Sequence, residues 1–322
     1  MKFRTKSLNL LSLLVLTLTS NYIFNIGCGP APGAPEPAAG YTLTAAATGT
    51  APAGGTLSSI QVKVADKDGK TLNCKFDFVV KSGLGSLNKT TETGTSSSFD
   101  WKLGRKFGEQ TIEITASEVG GTTKIEGSPF TLKVNTLTVK DVDDNTYNTT
   151  QIGSQVWIAE NLKTSKFRDG TSLLTGLDSA GWTNATEGAF VYMEDNSANN
   201  STYGKLYNGS AIKSAKGICP AGWHVATEAE WTSLIHYTGG ESDAGNALIS
   251  KDNWANANET STDSLLLSIQ PGGLLGTPYE YVGFKSKSQA YFWSAADATN
   301  TYGFGQGPFF TDGGSMFFFT TC

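Results

Sequence analysis

Gly217-Ile218-Cys219-Pro220-Ala221-Gly222-Trp223-His224-Val225-Ala226-Thr227-Glu228-Ala229-Glu230-Trp231 is the stretch that decides how the second half of this chain folds. Thr227 followed three residues later by Glu230 forms a capping box: the hydroxyl accepts from a first-turn amide while the carboxylate reaches back to the threonine amide. Glu228 adds negative charge at the positive end of the helix dipole. A helix is therefore predicted to start at Thr227. Trp231, Leu234 and Ile235 then share one face at spacings of three and four, which buries that face against a core. A second helix is predicted from near Ser242, carrying Ala244, Ala247 and Leu248.

Upstream, between residues 41 and 136, the apolar period changes from helical to two. Ile60, Val62 and Val64 alternate with polar residues; so do Leu72, Cys74, Phe76, Phe78 and Val80, then Ile112, Ile114 and Ala116, then Phe130, Leu132 and Val134. Such runs are half-buried strands. Turn chemistry separates them, as in Asp66-Lys67-Asp68-Gly69 and Gly120-Gly121, at the spacing of a small antiparallel sandwich. The strand order, the loop from Ser82 to Leu87 and the segment Phe99-Asp100-Trp101 resemble the immunoglobulin-like domains of bacterial surface proteins. Cys74 falls on the apolar face of its strand with no second cysteine nearby, and reads as a buried free thiol.

Residues 137–322 hold six of the seven tryptophans and both histidines, so a separate core is expected there. Four segments follow in order. They are Asp141-Val142-Asp143-Asp144-Asn145-Thr146-Tyr147; Gln151-Ile152-Gly153-Ser154-Gln155-Val156-Trp157-Ile158-Ala159-Glu160-Asn161-Leu162; Tyr203-Gly204-Lys205-Leu206-Tyr207-Asn208; and the stretch quoted first. That succession closely resembles the Fibrobacter succinogenes major paralogous domain, a family of secreted and lipoprotein modules. The resemblance implies a C-type-lectin-like α+β fold, related to the domain of formylglycine-generating enzymes, with no established activity. The expected fold class is thus an all-β immunoglobulin-like sandwich followed by an α+β C-type-lectin-like domain. The resemblance also implies a disulfide between Cys219, ahead of the first helix, and Cys322, where the family has a terminal strand containing cysteine. Closing a loop of about 100 residues this way is worth about 4 to 5 kcal/mol in the chain-entropy model.

The N-terminus reads as an address. Lys2, Arg4 and Lys6 precede an apolar stretch from Leu8 to Leu18, and Asn25-Ile26-Gly27-Cys28 follows. Residues 1–27 are expected to be a signal peptide. A cysteine after a small residue resembles the lipobox of bacterial lipoproteins, in which Cys28 would be lipidated and become the mature N-terminus; acyl chains hold such a protein at a membrane at ~0.8 kcal/mol per buried methylene. Asn25 stands where that family usually has leucine. Cleavage near Thr17-x-Thr19, or an uncleaved anchor from Leu8 to Ile26, are the alternatives. Residues 28–40 are rich in proline, glycine and alanine and form a flexible linker.

Charge narrows the partners. The formal net charge is −5, and becomes −8 once a leader carrying three bases and no acid is removed. Arg4, Arg105 and Arg168 are the only arginines. A nucleic-acid surface needs the opposite sign, so no nucleic acid is expected.

Constellations that could carry chemistry are sparse. Asp141, Asp143, Asp144 and Asn145 invite a calcium loop, but Thr146 and Ile152 stand where an EF-hand needs glycine and glutamate, so a turn before a strand starting near Tyr147 is expected and no metal. In Gln270-Pro271-Gly272, glycine replaces the aspartate that would ligate calcium in sugar-binding lectins. His224, placed in a Trp-His-Val strand, and His236, placed on the capped helix, lack a nucleophile elbow and read as packing or surface residues. Tyr291-Phe292-Trp293-Ser294 and Met316-Phe317-Phe318-Phe319 read as two-faced core strands, and the polar loop from Glu194 to Thr202 as a surface excursion. The expectation is an outer-membrane or cell-surface lipoprotein, held to the membrane by its N-terminal lipid. It would display a lectin-like binding or adhesion module on an immunoglobulin-like stalk to a polysaccharide or protein ligand, with no cofactor and no catalytic residues. A purely structural envelope protein is the alternative, and an enzyme of the formylglycine-generating lineage is disfavoured because no cysteine pair remains for its chemistry.

Overall fold

A computed structural model describes residues 40–255, 261–276, 280–282, 287–295, 301–305 and 310–312. The signal peptide, Cys28, most of the linker, Met316–Phe319 and Cys322 lie outside the described residues.

The first half is built of nine strands: β1 (Tyr41–Ala46), β2 (Thr56–Ala65), β3 (Cys74–Val80), β4 (Ser86–Leu87), β5 (Thr91–Gly94), β6 (Ser96–Lys102), β7 (Glu109–Glu118), β8 (Ile125–Glu126) and β9 (Phe130–Asn135). They form a five-stranded sheet, β4-β6-β2-β1-β8, and a four-stranded sheet, β5-β3-β7-β9. Each central strand turns its apolar alternation inward, and one core results: Ile60, Val62 and Val64 from one sheet, with Phe99 and Trp101, meet Phe76, Phe78, Ile112 and Ile114 from the other. The predicted alternation is therefore the inward face of two packed sheets. Cys74 is fully buried in this core and free, and burial pushes its thiol up. Asp66–Gly69 is the predicted turn, with the Gly69 amide donating to Asp66 O at 3.1 Å and glycine supplying φ +84°. Leu72, expected within β3, lies just before it. The chain at Thr71 makes only an isolated bridge to Ala65, because the turn spends those residues reversing direction.

The second half alternates short strands with short helices: β10 (Thr138–Lys140), β11 (Thr146–Ile152), β12 (Gln155–Ile158), α1 (Ser179–Thr183), β13 (Phe190–Tyr192), α2 (Asn200–Tyr203), β14 (Lys205–Tyr207), α3 (Gly209–Lys213), α4 (Glu228–Tyr237), α5 (Glu241–Leu248), β15 (Leu274–Gly276), β16 (Glu280–Val282), β17 (Gln289–Trp293), β18 (Thr301–Gly305) and β19 (Phe310–Asp312). The protein as described is thus mostly strand with some helix. Two buried clusters share these elements, and β17 shows how. Ala290 and Phe292 enter the cluster of Trp157, Trp231 and Leu234, whereas Tyr291 and Trp293 enter that of Tyr147, Phe190 and Tyr207. A strand buried on both faces has no polar alternation, which explains the unbroken aromatic run. Leu206 and Tyr207 of β14, and Trp157 and Ile158 of β12, divide the same way.

The described residues form one compact unit. The segment after β1 runs beside β11: Ala53 donates to Thr149 O at 3.0 Å and accepts from the Gln151 amide at 2.9 Å. Arg105 adds a second link. Its guanidinium donates to Thr150 Oγ1, Gln151 O and Leu265 O at 3.1–3.3 Å. The loop that presents Arg105 is held by the buried Gln110 side chain, which donates to Gly104 O and Lys106 O and accepts from the Gly104 amide.

Candidate functional site

The capping box exists as predicted. The Glu230 amide donates to Thr227 Oγ1 at 3.3 Å, and Glu230 Oε2 accepts from the Thr227 amide at 2.8 Å. Trp231, Leu234 and Ile235 are buried, with the Trp231 ring 5.0 Å from that of Trp157 and 5.5 Å from that of Phe292. α5 begins at Glu241, one residue ahead of the expected start, because Gly240 at φ +109° makes the entry.

Ahead of α4, the chain from Cys219 to Ala226 is irregular, so His224 is on a loop and not on the expected strand. A turn accounts for this. The Trp223 amide donates to Pro220 O at 3.0 Å while Gly222 takes φ +84°, a conformation that suits glycine. Arg168 clasps the turn from outside, donating from Nε to Cys219 O at 2.9 Å and from a terminal nitrogen to Trp223 O at 2.7 Å. The result aims His224 at Glu230: Nε2 lies 2.9 and 3.0 Å from the two carboxylate oxygens. Burial alone would raise the Glu230 carboxyl, but the Thr227 amide, His224 and the Thr227 hydroxyl outweigh it and hold Glu230 below the usual carboxylate range.

Opposite this wall stands the β11–β12 hairpin. Gln155 bridges to α4 by donating to Glu230 O at 3.2 Å, and its Oε1 accepts from Trp157 Nε1 at 3.3 Å. Between the two lies an open cleft of about 360 Å³, lined by Ser154, Gln155, Val156, Trp157, Gly222, Trp223, His224, Ala226 and Glu230. Two segments some 70 residues apart in sequence thus converge on one surface. Ser154 lines the same cleft as His224, yet among the described residues no hydrogen bond joins them, so the serine and the histidine are not coupled as nucleophile and base.

The remaining candidates serve the fold. Asp141 makes the predicted turn: Oδ1 accepts from the amides of Asp143 and Asn145, and Oδ2 from Tyr147 Oη at 2.5 Å. Asp143 reaches a second chain segment, accepting from the amide and hydroxyl of Ser165 at 2.6 Å and pairing with Lys166 at 2.8 Å. Desolvation opposes ionisation there, but Lys166 and Ser165 prevail and keep the carboxyl far below its ordinary value. These carboxylates are engaged by the chain's own donors. Among the described residues no group of three or more metal-binding side chains converges. Gln270 spends its amide on Ser268 O and Asn253. His236 is exposed on α4, and the 194–202 loop is a surface excursion containing two short turns of 3-10 helix and the start of α2. Cys219 is buried and is not among the free cysteines, while its expected partner Cys322 and the expected lipidation site Cys28 lie outside the described residues. Sequence reasoning missed Arg168 and Gln155 as positioning residues. The rarity of arginine was the one available signal for the first.

Residues 150–309 match the model of the Fibrobacter succinogenes major domain. The chain carries a domain of that family. Both walls of the cleft, residues 154–157 and 222–230, fall within the matched span. Among curated proteins none matches the chain. Solved structures with some likeness include a conjugative transposon lipoprotein from Bacteroides eggerthii, at 11% identity and TM-score 0.22, covering 30% of this chain and 95% of that one. Another is the Yersinia pseudotuberculosis adhesin InvE, at 11% identity and TM-score 0.32, covering 88% and 70%. These likenesses are too slight to bear on fold or function. No helix among the described residues is long and apolar enough to cross a membrane.

Proposed function

We propose that this protein is an exported envelope lipoprotein whose Fibrobacter succinogenes major domain binds a polysaccharide or protein ligand in the cleft between the β11–β12 hairpin and α4. The observation that carries this reading is the convergence of two separate family segments on one open, mixed polar and aromatic cleft, without a coupled nucleophile and base. In this reading Cys28 bears the lipid, the sandwich is immunoglobulin-like, the second half is C-type-lectin-like, and Cys219 pairs with Cys322. The sandwich is then less a loose stalk than a collar, since Arg105 and Ala53 fasten it to β11. Binding and not catalysis is the activity.

Two measurements test it. Intact mass of the membrane-extracted protein is expected to show an acyl-sized increment that Cys28→Ala removes; an unlipidated wild type overturns the anchor. Pull-down from envelope and host extracts with the mature chain is expected to capture a saturable partner that is lost when Val156→Arg obstructs the cleft. If no saturable partner exists, the purely structural envelope role replaces the binding one.

A further inference from the structure

Which ligand class the cleft accepts follows from what its polar groups have left to offer. Among the described residues no lysine or arginine lines it, so an anionic ligand would find no lysine or arginine countercharge there. Its one carboxylate is already engaged. Glu230 Oε2 accepts from the Thr227 amide and hydroxyl and from His224, and Oε1 accepts from His224, so a cation would have to displace an existing partner. The Gln155 amide is likewise spent on Glu230 O and Trp157 Nε1.

The groups that remain are of a different kind. Trp223 is half-buried, packed in part against the core and lining the cleft; Val156 is 40% exposed beside it. The Ser154 hydroxyl and the His224 ring complete the wall, and no described residue engages His224 Nδ1. A flat apolar ring edged by a hydroxyl and an imidazole nitrogen complements a molecule with one apolar C–H face and a rim of hydroxyls. The volume of about 360 Å³ accommodates on the order of two sugar rings.

We infer that the cleft binds neutral sugar residues, stacked on Trp223 and hydrogen-bonded at their rim by Ser154 and His224 Nδ1. This inference rests on the binding reading above. The fixed His224–Glu230 pair acts as a positioning element, holding the imidazole so that its second nitrogen is presented to a hydroxyl.

The test uses the full mature chain, titrated with neutral gluco-, manno-, galacto- and xylo-oligosaccharides and followed by intrinsic tryptophan fluorescence. A uronic-acid oligomer and an oligolysine are the charged controls. At least one neutral series is expected to bind saturably and with little dependence on salt, and Trp223→Ala to weaken it about tenfold or more, with Trp223→Phe retaining most of the affinity. Val156→Arg, at a solvent-exposed position, is expected to abolish binding while the melting temperature stays at the wild-type value, which separates blockage from unfolding. Failure of every neutral series, or neutral binding indifferent to both Trp223→Ala and Val156→Arg, overturns the inference. If the uronate, the oligolysine or an extracted protein binds in its place and Val156→Arg abolishes that, the sugar inference falls and the binding reading stands. If nothing binds, both fall.

Discussion

The two halves of this chain reach a buried core by different means. In the sandwich, backbone polar groups are satisfied mainly by the strand ladders, and β3 pairs with β7 over seven consecutive residues from Cys74 to Val80. In the family domain the strands are three to seven residues long, and long connections are held by single side chains. Arg168 clasps the Cys219–Trp223 turn, Asp143 ties Ser165, Glu230 caps α4, and Asn208 accepts from the Ala189 and Ala211 amides at 2.9 and 3.0 Å. Ladders distribute stability over many equivalent bonds. Side-chain brackets concentrate it at few positions and leave loops free to form a cleft.

Substitutions can break that contrast. The largest effect is expected at Trp231, fully buried between Trp157 and Phe292: Trp231→Ala should cost about 3–5 kcal/mol, read as a fall in the denaturant midpoint. Next comes the junction. Arg105→Ala removes three hydrogen bonds and strands the carbonyl of Gln151, while Leu265 O keeps the Thr150 hydroxyl, for about 1–3 kcal/mol. Calorimetry should resolve two transitions in that variant where the wild type shows one; two equal transitions in both proteins would mean the collar does not couple the halves. Thr227→Ala, which removes the cap of α4, should cost about 1 kcal/mol and loosen His224 through Glu230.

The smallest effect is one of acidity. Asp143 and Glu230 titrate below their ordinary values in the folded protein, so both contribute stability above the unfolded carboxylate pKa and lose it as pH falls through their folded values. Acid titration followed by near-ultraviolet circular dichroism is therefore expected to disturb the family domain before the sandwich, where Asp77, Glu92 and Glu118 are also held low but none so far as Asp143. Loss of the sandwich signal first would contradict this.

How much was legible follows the same division. The alternations at Ile60–Val64, Phe76–Val80 and Ile112–Ala116 announced strands, since period two on one face is all a two-sheet core demands. The Thr227–Glu230 box announced α4 because both partners lie within one helical turn. His224 was misplaced on a strand: a β-like triplet is overruled when a distant arginine holds the preceding turn. The cleft could not be anticipated, since Gln155 and Glu230 are neighbours only in space.

The sequence by itself determined the period of each element, the start of α4, the buried thiol of Cys74 and membership of residues 150–309 in their family, because those properties depend on residues near one another along the chain. Only the tertiary structure decided that β17 divides two cores, that Arg105 fastens the sandwich to β11, and that Trp223, His224 and Ser154 share one cleft. Each of those depends on where separate segments meet, which is settled by packing and by the need to satisfy every buried polar group at once.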